Sequence, residues 1–472
     1  MSRAAVLERA AAHLDSGAFE AELAARVAIR SASQEPDAGP TLQAYLDQGL
    51  APALGALGFT LQVLPNPVAG AGPFLIAKRI EDPARPTVLM YGHGDVVRGQ
   101  DASWTRGAGP WTLTREGDRL YGRGTADNKG QHSINLAALA QVLALRGHLG
   151  FNVTWLFETG EETGSPGLAA FCTAQREALS ADVLIASDGP RLTAERPTVF
   201  LGSRGVVNFD LSLDLRHGAH HSGNWGGLLR NPGTVLAAAI HSLVDGQGRI
   251  SIEALRPPPI PGNVRAALVG LDVGGGPNDP VVDVDWGEPG LTPAERVFAW
   301  NSMEVLAMKT GNPEFPVNAI PPTAKATMHL RFVVGTDVSR LGELVRAHLD
   351  ANGFPQVQVS VGDVMGATRL DPDNAWVHFT LASIERSTGA APVLLPNLGG
   401  SLPNDVFADI LGLPTVWVPH SYPGCQQHAP DEHLLRPVAR QALQMMAGLF
   451  WDLADFRPEI TPARAPASAA GV

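Results

Sequence analysis

The sequence predicts an α/β fold made of two domains. Before residue 204, short apolar runs that end at glycine alternate with segments of helical periodicity, which is the pattern of strands buried in the sheet of an α/β protein. Beyond it, longer segments alternate between polar and apolar residues, as half-exposed strands do. The length of 472 residues also exceeds that of one ordinary domain. We therefore expect a large α/β domain interrupted by a smaller one.

The first domain is assigned to residues 1–203 and 366–472. Its predicted helices span 3–30, 41–57, 131–146, 374–388 and 435–454. Its predicted strands span 59–64, 73–78, 151–157, 181–186 and 413–418, and another strand begins at residue 87. The Pro- and Ala-rich tail, 457–472, is expected to be disordered.

The second domain is assigned to residues 204–365. Strands are predicted over 206–215, 325–334 and 356–361, and helices over 233–245 and 338–352. A Pro- and Gly-rich stretch, 256–290, is expected to hold little regular structure. With one strand left unplaced, this order approaches β-α-β-β-α-β, which favours a ferredoxin-like α+β layer.

Composition excludes several classes of partner and location. The net charge is −12 and no basic run occurs, which argues against nucleic acid. No apolar run reaches the roughly 20 residues that span a bilayer. The two cysteines are too few for a disulfide scaffold, and the N-terminus lacks the apolar core of a signal peptide. We expect a cytoplasmic protein without membrane contact.

His93 and Asp95 follow the apolar run that begins at Thr87, where the predicted strand ends. Open α/β sheets place their chemistry at the carboxyl ends of strands. Residues two apart on an extended chain point to the same side. This favours a metal-bound imidazole of His93 whose other ring nitrogen is oriented by Asp95. The alternative is a surface pair in a loop.

Four further acids stand at similar places. Asp127 precedes the helix at 131–146, where it could also be a helix N-cap. Glu161 and Glu162 follow one strand, and Asp188 follows another. Adjacent carboxylates in a dry site need a cation, so one of the pair could bind metal while the other moves protons. The alternative for the pair is a solvated acidic turn.

Two histidines and three carboxylates suit a pair of zinc-like ions. The candidate ligands are His93, Asp127, Glu162, Asp188 and His428. Two ions roughly 3.5–4 Å apart share a ligand, and we expect Asp127 to be that bridge. Zn²⁺ is the expected metal, and Co²⁺ or Mn²⁺ could substitute.

The chain resembles a family of zinc-dependent metallopeptidases, the zinc aminopeptidase-fold hydrolases that include carnosinase, cytosolic dipeptidase, aminoacylase and glutamate carboxypeptidase. The resemblance rests on HGD at 93–95, GRGTADNKG at 122–130, EETGS at 161–165, SDG at 187–189, HAPDE at 428–432, HSG at 221–223, NAIP at 318–321, and Arg331. It implies a catalytic domain with a mixed sheet between helices, and an inserted lid domain that forms a homodimer.

The resemblance also implies a role for each matching residue. One metal would be held by His93, Asp127 and Asp188, and the other by Asp127, Glu162 and His428. Glu161 would be the general base, with Asp95 supporting His93, and His221 would stabilise the oxyanion. The carboxylate end of the substrate would be bound by Arg331, Asn318, Gly400 and Ser401. The fork of Arg331 suits a carboxylate, although a strand-surface ion pair is the alternative.

Two departures from the family pattern leave choices open. Val97 and Arg98 stand where the family usually has a Val and a Pro, which concerns the shape of the loop rather than ligation. His217 and His220 are rivals of His221 for the oxyanion role. We favour His221 because Ser-Gly follows it directly.

We therefore expect hydrolysis of the amide bond in dipeptides or short peptides with a free C-terminal carboxylate, by water activated between two zinc ions. The alternative is an N-acyl-amino-acid deacylase of the aminoacylase or acyl-diamino-acid type. A catalytically inactive binding protein of the same fold is a third hypothesis, which loss of a ligand would favour; all five ligands are present.

Overall fold

A computed structural model describes residues 2–274 and 280–457. All but the first residue of the tail expected to be disordered, 457–472, lies outside the described residues. The strands are β1 Thr60–Leu64, β2 Phe74–Arg79, β3 Thr87–His93, β4 Thr114–Glu116, β5 Arg119–Tyr121, β6 Asn152–Glu158, β7 Val183–Ala186, β8 Thr198–Phe200, β9 Gly205–Asp214, β10 His220–His221, β11 Ser302–Thr310, β12 Ala319–Ile320, β13 Thr323–Phe332, β14 Gln358–Met365, β15 Val393–Leu395, β16 Thr415–Trp417 and β17 His433–Leu435.

The helices are α1 Arg3–Asp15, α2 Ala18–Val27, α3 Gly39–Ala44, α4 Ala51–Ala56, α5 Lys129–Arg146, α6 Leu168–Ala174, α7 Ser222–Trp225, α8 Pro232–Leu243, α9 Gly262–Leu268, α10 Pro293–Phe298, α11 Leu341–Ala351, α12 Ala375–Thr388 and α13 Arg436–Leu453. A π-helical segment, Tyr45–Leu50, joins α3 to α4, and another spans Val406–Ile410. None of the helices in the described part of the chain is both long and apolar enough to cross a bilayer.

The chain divides into two units. The first comprises Met1–Gly202, Leu370–Leu395 and Pro403–Val472, and the second comprises Ser203–Arg369 and Pro396–Leu402. The second unit therefore interrupts the first in sequence, and it takes in the glycine-rich turn that holds Gly400 and Ser401. The predicted class, an α/β fold with an inserted α+β unit, is confirmed.

The first unit is built on an eight-stranded mixed sheet in the order β1-β2-β6-β3-β7-β16-β8-β15. Strands β3, β6, β7 and β16 run parallel where they pair with one another. All seven residues of β6 are buried, as expected for a strand covered on both faces. Helices α1, α5 and α13 contribute Val6, Ile134 and Leu443 to the core cluster on this sheet. Apolar burial at about 25 cal/mol per Å² is what holds these layers together.

Helix α5 ends cleanly but begins inside the protein. Gly147 closes it in the left-handed conformation (φ 82°), and its N–H bonds to the carbonyl of Leu143. The first turns are buried although they carry Lys129, Gln131 and His132. Buried polar groups must be paired, so this end of the helix is committed to specific contacts.

The second unit has an antiparallel sheet in the order β11-β13-β9-β14. Helices α8 and α11 bury Leu236 and Val345 against Val207 and Leu330 of this sheet. The strand left unplaced by the sequence is β11, which lies at the sheet edge. Its consecutive exposed residues, such as Val305 and Leu306, hide the alternation that marks a half-buried strand.

Two expectations on local structure were incomplete. The stretch 256–290, expected to hold little regular structure, contains helix α9, whose Val264 and Leu268 are buried four residues apart on one face. A small sheet of β17, β5 and β4 was also missed. Each of its strands has three residues, too few for a periodic signal.

Candidate active site

Three neighbouring strands of the large sheet end at one edge, and a predicted ligand stands at or after each end. Strand β3 lies between β6 and β7 and runs parallel to both. His93 ends β3, Glu162 follows β6, and Asp188 follows β7. Because parallel strands end at the same edge, the strand order gathers these side chains.

Asp127 and His428 reach this edge from loops. Asp127 stands two residues before α5 and is only 4% exposed. Its Oδ1 lies 2.9 Å from Nε2 of His93, and its Oδ2 lies 3.0 Å from Nε2 of His428. One carboxylate therefore faces two imidazoles, one on each oxygen.

The five predicted ligands form two groups that share Asp127. One group is His93, Asp127 and Asp188, and the other is Asp127, Glu162 and His428; within each, the ligand atoms lie within 4.8 Å of one another. Nε2 of His93 lies 3.6 Å from Oδ2 of Asp188, and Nε2 of His428 lies 3.1 Å from Oε2 of Glu162. Sets of imidazole and carboxylate donors suit zinc-like ions.

The charge balance of this cluster fits divalent cations. Oε1 of Glu162 and Oδ2 of Asp188 are buried and accept no hydrogen bond from any described residue. Burial, reinforced by the charge of Asp127, raises the pKa of both carboxyls to about 7. Hydrogen bonds to Asp127 and Glu162 raise the pKa of the His428 imidazole to about 11. These groups hold protons in place of positive charge that a bound cation would supply.

Glu161 stands beside both groups without belonging to either. Its Oε2 lies 4.0 Å from Nε2 of His93. Burial raises the pKa of Glu161 well above its usual value, and the charge of Asp188 adds to the effect while His93 opposes it. A carboxyl perturbed in this way beside a cation site is suited to accept and release a proton.

The side chain of Asp95 binds the backbone of the adjacent acids Glu161 and Glu162. Its two oxygens accept hydrogen bonds from the N–H groups of Glu161 and Glu162, over 3.2 and 3.1 Å. Nδ1 of His93 lies 3.0 Å from the backbone oxygen of Asp95 and 3.5 Å from its Oδ1. Of the Asp95 oxygens, the backbone carbonyl is thus the closer to Nδ1 of His93, whereas the carboxylate fixes the turn Glu161–Thr163.

A buried polar chain that the sequence analysis missed joins the loops of Asp127 and Asp188. Nδ2 of Asn128 donates to the carbonyl of Ser187 at 2.9 Å, so its Oδ1 accepts from Nδ1–H of His132 at 3.0 Å. The remaining Nε2 of His132 then accepts from the hydroxyl of Tyr45 at 2.6 Å. The four-residue spacing between Asn128, the residue before α5, and His132 in the first turn of α5 was the available signal.

Two other histidines, His420 and His433, flank His428 in the sequence but belong to neither ligand group. His420 is buried, and its Nε2 pairs with the hydroxyl of Ser187 at 3.0 Å. Burial keeps the pKa of His420 well below its usual value, so the ring is neutral. His433 is buried in β17, and its Nε2 lies 2.7 Å from the hydroxyl of Tyr422.

In the second unit, His221 lies in β10, and Asn318 directly precedes the neighbouring strand β12. His221 pairs with Ala319 across β10 and β12, and the N–H of Ser222 donates to the carbonyl of Asn318 at 2.9 Å. His221 is exposed, and its Nδ1 accepts from the N–H of Gly223 at 3.1 Å. An imidazole whose Nδ1 accepts carries its proton on Nε2, which is free to donate.

Arg331 and Ser401 also meet in the second unit. Nη1 of Arg331 donates to the hydroxyl of Ser401 at 3.0 Å, and that hydroxyl donates to the carbonyl of Arg204 at 2.7 Å. Nε of Arg204 donates to the carbonyl of Gly399, which fixes the turn before Gly400. Burial lowers the pKa of both guanidinium groups, that of Arg204 to about 10, and desolvated guanidinium groups attract anions.

Comparisons with known proteins agree with this geometry. A model of the peptidase family M20/M25/M40 matches residues 89–452. The chain is 36% identical over 197 residues to the Beta-Ala-His dipeptidase of Mus musculus, a match that covers 41% of this chain and 39% of that protein. The matched part thus spans well under two thirds of the mouse protein.

Two further proteins match over greater lengths. The Cysteinylglycine-S-conjugate dipeptidase of Corynebacterium striatum is 30% identical over 333 residues, which is 67% of this chain and 70% of that protein. The crystal structure of the M20 family metallo-carboxypeptidase Sso-CP2 from Sulfolobus solfataricus superposes with a TM-score of 0.78 at 25% identity, over 93% of this chain and 99% of that one. The fold is therefore that of known M20 metallopeptidases.

Proposed function

The chain belongs to the peptidase family M20/M25/M40, as its motifs predicted, and on that premise we propose that it hydrolyses dipeptides with a free C-terminal carboxylate. The observation that carries the proposal is the placement of Asp127 between His93 and His428, with one carboxylate oxygen on each imidazole. A carboxylate that faces two imidazoles would serve as the ligand that two neighbouring divalent ions share.

The residues present would hold two ions, with Zn²⁺ the best fit and Co²⁺ or Mn²⁺ as substitutes. His93, Asp127 and Asp188 would hold one ion, and Asp127, Glu162 and His428 the other. Such ions, when bound, polarise a carbonyl group and lower the pKa of water to about 7.

Glu161 is assigned as the general base. Its carboxylate accepts a proton from the attacking water and passes it to the amine nitrogen of the leaving amino acid. The assignment is supported by its position outside both ligand groups and by the raised pKa of its carboxyl, which burial produces. Asp95 supports this role because it fixes the backbone N–H of Glu161 and so the direction of the side chain.

The second unit is assigned the groups that bind substrate, and we identify it with the inserted domain expected over 204–365. The Nε2–H of His221 stabilises the oxyanion of the tetrahedral intermediate. Arg331, supported by Ser401, binds the terminal carboxylate through its planar fork, and Asn318 and Gly400 complete that end. We further propose a homodimer through this unit.

We favour dipeptides over N-acyl amino acids as the proposed substrates, because both relatives reported above are named dipeptidases. A deacylase remains the second candidate, since the same chemistry cleaves an acyl amide. An inactive binding protein is less favoured because all five ligand residues converge. A cytoplasmic location is part of the proposal and agrees with the free thiols of Cys172 and Cys425.

The test is a substrate panel on protein loaded with Zn²⁺, Co²⁺ or Mn²⁺. Dipeptides with free carboxylates, including β-Ala-His and Cys-Gly, are compared with acetyl- and succinyl-amino acids. We expect dipeptides to be cleaved with the higher kcat/KM, and EDTA to abolish the activity. Preference for the acylated amino acids would favour the deacylase instead. Failure to cleave either class of substrate with any of the three metals would overturn the proposed hydrolase function.

A further inference from the structure

Glu432 is a buried acid that the proposed reaction does not use. It stands four residues after His428 and is 1% exposed. An ionised carboxylate at such a site is costly unless several donors surround it. Its partners therefore indicate what the buried charge does.

Four donors converge on the Glu432 carboxylate, all from the loop that leads to Asp127. Oε2 accepts from Nη1 of Arg123 at 2.7 Å and from the N–H of Gly124 at 3.1 Å. Oε1 accepts from the N–H groups of Ala126 and Asp127, at 2.8 and 3.1 Å. Three of the four bonds thus come from backbone N–H groups of the loop 122–127, and one of these three is the N–H of Asp127 itself.

The backbone of Glu432 adds a fifth bond between the same segments. Its carbonyl accepts from the N–H of Gly122 at 3.0 Å. The C-terminal end of the segment 426–432, at Glu432, is therefore bonded along the length of the loop 122–127. The side chains of His428 and Asp127, from the same two segments, meet at 3.0 Å.

The segment 426–432 needs such support because its backbone is strained. Gln426, His428 and Asp431 adopt positive φ values of 59°, 62° and 62°. Non-glycine residues in this region cost of order 1–3 kcal/mol each and persist only where the surroundings enforce them. Without the bonds of Glu432, the segment would lose a principal constraint on the conformation that presents His428.

We propose that Glu432 is a positioning residue that holds His428 against Asp127 and thereby sets the affinity of the ion-binding group formed by Asp127, Glu162 and His428. The inference rests on the proposed function, because it assumes that this group binds an ion. Outer residues that orient metal ligands typically change metal affinity 10–100-fold when they are replaced. Glu432 acts indirectly on the ligands, through the backbone of the loop 122–127 and of the segment 426–432.

The chain offers a matched control in Asp431. Its carboxylate also accepts backbone hydrogen bonds, from the N–H groups of Thr105 and Arg106 at 2.8 and 2.9 Å. It lies in the same segment as Glu432 but binds an exposed loop rather than the loop of Asp127. Asp431→Asn therefore removes one negative charge from the same segment and leaves the bonds between Glu432 and the loop 122–127 in place.

The experiment titrates ion-free protein with Zn²⁺ by calorimetry in the presence of a competing chelator. Wild type is expected to bind two ions. Glu432→Gln places an amide N–H₂ where Arg123 and Gly124 donate, so we expect one of the two affinities to fall roughly 10–100-fold. Asp431→Asn is expected to bind both ions within about threefold of wild type.

A second background separates positioning from general destabilisation. In His428→Ala protein, the second group is already broken, so adding Glu432→Gln should change the remaining affinity by less than about threefold. A merely structural residue would lower the thermal midpoint of ion-free protein and leave the ion affinities unchanged. If Glu432→Gln does not fold, Glu432→Asp keeps the charge but shortens the reach by one methylene, and a smaller loss of affinity is expected.

Three results would decide against the proposal in different ways. Unchanged binding of both ions by a folded Glu432 variant would overturn it while leaving the proposed function intact. An equal loss of affinity with and without His428 would show that Glu432 does not act through His428. A wild-type protein that binds no ion would instead overturn the proposed function, and this inference with it.

Discussion

The ring Nδ1 of His221 accepts a hydrogen bond from the backbone N–H of Gly223, over 3.1 Å. This contact puts the proton of the neutral ring on Nε2, which is the tautomer needed to donate to an oxyanion. A Cβ built at Gly223 would come within 2.9 Å of Cε1 of His221. Only glycine therefore permits this approach, and the contact sets both the tautomer and the direction of the ring.

Gly223→Ala is predicted to impair turnover in the same way as His221→Ala. Loss of one oxyanion donor typically lowers kcat by about 10²–10³, and Gly223→Ala displaces that donor without removing it. Steady-state kinetics of the two variants checks this, with bound metal measured alongside. His220→Ala is the control, because adjacent residues of a strand face opposite sides. A kcat of Gly223→Ala within threefold of wild type would refute the role of the contact.

Glu161 and Glu162 are predicted to fail differently when each is replaced by glutamine. Glu161→Gln should keep its metals and lose roughly 10²–10⁴-fold in kcat, because a base is not needed for ligation. Glu162→Gln should also lower the occupancy of one metal, since Oε2 of Glu162 faces His428. Elemental analysis and kinetics on both variants separate the roles. If Glu161→Gln stays within tenfold of wild-type kcat, Glu161 is not the base.

His221 is predicted to serve the active site of the partner in a homodimer. Glu161→Gln and His221→Ala homodimers should each be nearly inactive. A mixed dimer would then hold one site with both defects and one with neither, so random exchange restores about a quarter of all sites. Activity is measured after mixing, and two affinity tags recovered together prove exchange. Proven exchange without regained activity would place His221 in the site of its own chain.

The stability of the ion-free protein is predicted to fall as pH rises from about 4 to about 7. Burial raises the pKa of Glu162 and Asp188 to about 7 in the folded protein, from values near 4 in an unfolded chain. Within this window these two carboxyls bind more protons in the folded protein than in the unfolded chain, so their contribution to the free energy of unfolding decreases with pH. The pKa of His428, raised to about 11 by Asp127 and Glu162, extends the trend to higher pH.

Bound Zn²⁺ is predicted to remove this loss, because the cation and not protons then balances the carboxylates. The thermal midpoint of Zn²⁺-loaded protein should exceed that of EDTA-treated protein by a margin that widens from about pH 5 to about pH 8. Thermal scans at several pH values measure the margin. Asp188→Asn, which lacks one of the raised groups, should show a shallower decline in EDTA. A margin that is constant with pH would contradict the prediction.

The sequence alone determined the types of residue at the site and their local setting. His93, Glu161, Glu162 and Asp188 each stand at or just after the end of an apolar run, and strand formation follows from that local pattern. The family could also be inferred, because its motifs are short and contiguous. Interactions between residues that are close in the chain can be predicted from the spacing of those residues.

Only the tertiary structure decided which of these strand ends meet and what supports them. The strand order β6-β3-β7 puts the ligands side by side, and pairing between distant strands leaves no local mark in either one. The same holds for the bond between Glu432 and the backbone of Asp127, over 300 residues apart in the chain. The donors that pair with such a buried carboxylate come together only after folding. Its role therefore follows from its position in the folded structure rather than from spacing in the sequence.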